Sequence, residues 1–130
     1  MGFINEKSVD NRKSEMRAKL FCVYPDETST VTQITNRSTG VTLNATAGQI
    51  TTDDTSLAAG AEATFTVTNS YVTAKTIPVI AAASGQTAGT SIPFVTAVAA
   101  GSFDITLSNH HASTADTGPM VINFALIDVN

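Results

Sequence analysis

His110-His111, followed by Asp116, is the one grouping in this 130-residue sequence whose residue types resemble metal ligands. Imidazole nitrogen and carboxylate oxygen both suit zinc, but a zinc site needs further ligands at defined spacing. Neighbouring side chains on a strand also point to opposite faces, so a His-His pair converges poorly on one ion. A polar loop tip is therefore the expected reading. Cys22, the only cysteine, could pair with either histidine as nucleophile and base, yet nothing beyond the presence of the residue types supports it. Asp53-Asp54-Thr55 lacks the alternating oxygen ligands of a calcium loop and reads as a solvated turn. There is no glycine-rich phosphate loop and no nucleophile elbow. Hydrolysis of a polysaccharide wants paired carboxylates and stacking aromatics, whereas the carboxylates after residue 29 are scattered and Trp is absent. The expectation is a protein that is not an enzyme and uses no metal or cofactor.

The elements that would carry these residues are strands. In Ala61–Asn69, Ala63, Phe65 and Val67 alternate with threonines, and in Gly101–Asn109, Phe103, Ile105 and Leu107 alternate with Ser, Asp and Thr. Period two with one apolar face marks an antiparallel strand half exposed to water. Further strands are expected over 30–36, 39–43, 49–52, 76–83, 90–99 and 119–128, separated by Gly-, Ser- and Pro-containing turns. About eight strands predict an all-β fold, an antiparallel two-sheet β-sandwich or jelly roll, with an extended N-terminal arm. Leu57-Ala58-Ala59-Gly60 and Val98-Ala99-Ala100-Gly101 each introduce an alternating strand that ends at Asn, so one turn solution is used twice. The two strands are expected in equivalent places of a pseudo-symmetric sandwich. The last strand, Met120–Asp128, is apolar on both faces except at Asn123, which calls for a central position or cover from the arm or another subunit.

Charge divides the chain into an arm, 1–29, and a body, 30–130. Ten of the eighteen charged residues lie in the arm, and the body keeps only Arg37 and Lys75 against six carboxylates, so it carries the whole net charge of −4. That balance argues against a general nucleic-acid binder, whose affinity comes from Lys and Arg at phosphates. No apolar run is long enough for a membrane span, and the N-terminus reads as neither a signal peptide nor a myristoylation site, since Glu6 stands where Ser or Thr is wanted. Threonine (21) and alanine (18) dominate while charged residues are only 14%, a surface suited to being covered by partners. Within the arm, Leu20–Tyr24 reads as a strand stopped by Pro25, and Ser14–Leu20 as the start of a short helix. The arm is expected to lie across a neighbouring subunit, anchored by Phe3, Ile4, Leu20, Phe21 and Tyr24, with Arg12, Lys13, Arg17 and Lys19 beside them.

Val31–Asn44, Ala47–Thr51, Leu57–Gly60 leading to Phe65–Asn69, Val98–Phe103 and Val121–Ala125 together resemble the small β-sandwich structural proteins of tailed bacteriophages. The resemblance covers roughly residues 31–127 and rests on turn-and-strand patterns. Such domains occur as capsid decoration (cement) proteins and as modules of tail fibres, so it implies a structural role in the virion. A domain standing almost alone behind a short extension favours decoration of the capsid exterior, with the major capsid protein and copies of itself, as a trimer, for partners. The alternative is a tail-fibre or receptor- and glycan-binding module that would use loops 84–90 and 109–118.

Overall fold

The computed structural model describes residues 29–129. Eight strands carry that region, and no helix occurs among the described residues: β1 (Thr30–Thr32), β2 (Val41–Thr42), β3 (Ala47–Thr51), β4 (Glu62–Thr68), β5 (Thr76–Ser84), β6 (Ser91–Ala99), β7 (Ser102–Asn109) and β8 (Val121–Asp128). They form two four-stranded sheets, β1-β3-β8-β5 and β2-β4-β7-β6. The sheets stack as a sandwich with β5 over β6 along one side and β1 over β2 along the other. Each of the eight expected strands is trimmed, shifted or extended at an end by one to a few residues. The span 30–36 is cut at Thr32, because Gln33 turns inward and its side chain binds the backbone of the turn that follows.

The alternation seen in sequence becomes burial directly. Ala63, Phe65 and Val67 of β4 and Phe103, Ile105 and Leu107 of β7 face Ile50, Ile122 and Phe124 of the opposite sheet, all nearly or fully buried. Phe103 and Phe124 meet across the core with ring centroids 5.8 Å apart. At roughly 1.5–3 kcal/mol for each large side chain removed from water, this cluster is the main source of stability. The outward residues of β4 and β7 form a polar ladder instead. Thr64 and Thr106 hydroxyls lie 2.7 Å apart, Thr66 donates to Asp104 at 2.8 Å, and Ser108 donates to Glu62 at 3.0 Å.

Most pairings are antiparallel, as expected, but β1 lies parallel to β3 and β2 parallel to β4. Chain path explains the difference. The chain changes sheets at every step from β1 to β6, so each of these two returns lays a strand beside its predecessor in the same direction. The Ala-Ala-Gly echo also takes a form other than the one expected. β4 and β7 are not related by a symmetry of the whole sandwich; they pair with each other, Phe65 opposite Ile105. Gly60 and Gly101 both adopt positive φ, 73° and 86°, and each sits where the partner strand ends: Gly60 N–H donates to Asn109 O, and Asn69 N–H to Gly101 O. The echo is thus a local dyad of one antiparallel pair. Both terminal asparagines are buried, and the Oδ1 of each accepts the N–H two residues on, from Tyr71 and His111, at 3.0 Å.

Candidate functional site

The residues that looked capable of metal chemistry are not brought together. His110 lies exposed, while His111 Nδ1 accepts the backbone N–H groups of Ser113 and Thr114. Asp116 points away from both, into the interior. Asp53 uses Oδ1 to cap Thr55 in a turn, and that hydrogen bonding from the Thr55 hydroxyl and N–H holds its carboxyl below the usual range. Among the described residues no three His, Cys, Asp or Glu side chains cluster as a metal site would require. Cys22 lies outside the described residues.

Asp116 instead forms an ion pair with Arg37, Nη1 to Oδ2 at 3.3 Å, with both side chains almost wholly buried. In the sequence Arg37 stands out only as one of the two basic residues of the body. Its guanidinium donates further to the carbonyls of Asp116, Gly118 and Thr55. The other carboxylate oxygen of Asp116 accepts from Thr87 N–H at 2.9 Å and Gly118 N–H at 3.3 Å. Burial raises the Asp116 carboxyl, but the Ser91 hydroxyl, the two N–H groups and Arg37 outweigh it and hold it below its ordinary value. The Ser91 contribution is the weakest of these on geometry, because its hydroxyl has no partner at full hydrogen-bond geometry. Asp116 thus fastens loop 85–90 to loop 110–118, and Arg37 ties the turn after β1 and Thr55 to the same loop. Those loops also press together at Gly85 and Gly118, where a Cβ on either would collide with backbone oxygen. Gln33 completes the knot, donating to Thr39 O at 2.7 Å and accepting from Asp53 N–H at 3.0 Å. An open pocket of about 320 Å³ lies beside this turn, between Asn36, Arg37, Ser38, Thr55, Ser56 and Glu62. Both charged residues on its wall already have partners within the protein.

Among the described residues, a different surface is left uncovered on the side where β5 lies over β6. Ile77 and Val79 of β5, with Ile127 of β8, point out from one sheet, and Ile92 and Phe94 of β6 point out from the other, each between 39% and 54% exposed. The two strands repeat a local sequence, Thr76-Ile77-Pro78-Val79 and Ser91-Ile92-Pro93-Phe94, and each carries a register shift further on. Proline lacks a backbone donor, and a bulge disrupts pairing, so both devices blunt an open sheet edge against indiscriminate strand addition. The apolar side chains beside them remain available. Each sheet thus presents its own group of exposed large hydrophobics beside its open edge, and such groups mark contact surfaces. The repeated Ile-Pro pair was visible in the sequence and would have pointed to it, because proline within a strand pattern signals an edge.

All nine arm residues expected to bind a partner, Phe3, Ile4, Arg12, Lys13, Arg17, Lys19, Leu20, Phe21 and Tyr24, lie outside the described residues. Compared with protein-family models, curated proteins and solved structures, the chain matches none of them.

Proposed function

We propose that this is a non-enzymatic structural protein of a phage virion, a decoration protein that binds the outside of the capsid and bridges the major capsid subunits. The observation that carries this reading is the long edge strand β6, whose Ile92 and Phe94 stand exposed beside the outward hydroxyl rows of β7 and β4. The sequence resemblance to phage β-sandwich proteins and the low charge of the body support it. Burying such side chains against a shell contributes about 25 cal/mol per Å² of apolar surface removed from water. Copies sitting at a threefold position as a homotrimer would add contacts whose release must be simultaneous, which raises the effective affinity. Neither nucleic acid nor membrane is a partner in this reading.

Sedimentation tests it. The purified full-length protein is expected to run as a trimer, to co-sediment with empty capsid shells and to raise their melting temperature. A protein that leaves shells untouched in both binding and melting, or one that instead binds a glycan at its loops, would overturn the proposal.

A further inference from the structure

We infer that residues Leu20–Tyr24 of this same chain cover the apolar outer face of the sheet β1-β3-β8-β5. The argument starts from register. Thr30 of β1 lies opposite Gln49, Gln49 opposite Asn123, and Asn123 opposite Ala81, which makes one row across the sheet. Moving back from Thr30 toward Ser29 is the direction in which β8 runs from Asn123 to Ile127 and β5 runs back from Ala81 to Ile77. The chain before β1 therefore enters at the end of the sheet where Ile77, Val79 and Ile127 are exposed.

Distance agrees with direction. Ile127 is two strand spacings across and four residues along from Thr30, and Val79 is three across and two along, so each lies about 16 Å away. The six steps from Tyr24 to Thr30 reach about 20 Å when extended. Leu20-Phe21-Cys22-Val23-Tyr24 is the most apolar run of the arm, and Pro25 ends it just before this link. Chemistry agrees as well, since the β1 and β3 half of this face offers Thr30, Thr32, Gln49 and Thr51 while the β8 and β5 half offers Ile127, Ala125, Val79 and Ile77. An apolar segment that crosses the face is drawn to the far half. This occupant leaves Ile92 and Phe94, on the other sheet, as the part of the edge open to a partner, and it holds whether or not the partner is a capsid.

Cys22 makes the test simple, because it is the only cysteine in the chain. Full-length Val79→Cys and Ile127→Cys variants, with Thr66→Cys on the outer face of the other sheet as control, are oxidised with diamide. All three sites are exposed, so the fold tolerates them. The expected result is an intrachain disulfide to Cys22 in one or both test variants, seen as a faster-migrating monomer whose formation rate does not change with protein concentration. The control forms little. Disulfide-linked dimers in the test variants would assign the face to a neighbour's arm or to a second copy, and crosslinking no greater than the control would show that the segment lies elsewhere; either outcome overturns the inference.

Discussion

Two regions of this molecule break the rule that a sandwich buries its apolar residues and exposes its charged ones, and they break it in opposite senses. At one end Arg37 and Asp116 are charged and buried; along the β5 and β6 side Ile77, Val79, Ile92 and Phe94 are apolar and exposed. The first exception is resolved inside the chain, since the guanidinium finds the carboxylate and three carbonyls, and the carboxylate finds two N–H groups. The second has no such internal answer among the described residues. A buried charge without partners would destabilise the fold by several kcal/mol, whereas an exposed hydrophobe costs the isolated fold little and leaves free energy to be gained on contact. The pair therefore belongs to the architecture, and the proposal assigns the edge to interaction.

Breaking the ion pair from one side gives the largest expected effect. Asp116→Ala strands a buried guanidinium and is expected to destabilise by about 3–5 kcal/mol in denaturant titrations. A joint Arg37→Met and Asp116→Leu replacement should cost less than that single change, because no uncompensated charge remains. Asn69→Ala and Asn109→Ala come next, about 1–3 kcal/mol each by the same titration, and close to one another because their roles are related by the β4 and β7 dyad.

Acid sharpens the comparison further. The Asp116 carboxyl is held below its ordinary value of 3.8, so the unfolded chain binds more protons than the native one between the two values. The stability it contributes is fully present above 3.8 and is lost as pH falls through its lower native value. Asp53, hydrogen bonded by Thr55, acts in the same sense. Acid titration of Asp116→Asn, followed by circular dichroism, should therefore show a shallower loss of stability than wild type, with the Asp53 contribution remaining. Changes at Ile92 or Phe94 stand at the other extreme, within about 0.5 kcal/mol of wild type, since neither side chain is in the core.

Much of the fold was legible because alternation is a local signal. The inward rows of β4 and β7 could be named residue by residue, and the Ala-Ala-Gly turns were readable because glycine reports positive φ. Pairing was less accessible: that β4 and β7 lie side by side, and that β1 runs parallel to β3, depends on how the chain passes between sheets, which no window of sequence records. The ion pair was hidden for the same reason, as Arg37 and Asp116 stand far apart in the chain and meet only through the loops they fasten. Asp116 carried a signal, yet beside His110 and His111 it read only as part of a polar loop tip, whereas its side chain is buried. The exposed edge was half legible, in Ile77-Pro78 and Ile92-Pro93, two matching pairs whose meaning depends on both strands lying at sheet edges.

The central claim is that the β6 side of this edge is a contact surface rather than part of the folding unit, and shell binding by an Ile92→Ser, Phe94→Ser double variant tests it most directly. The account predicts a protein that unfolds at the wild-type denaturant midpoint and no longer co-sediments with empty capsid shells. Wild-type binding by this variant, or a collapse of its stability, would contradict it.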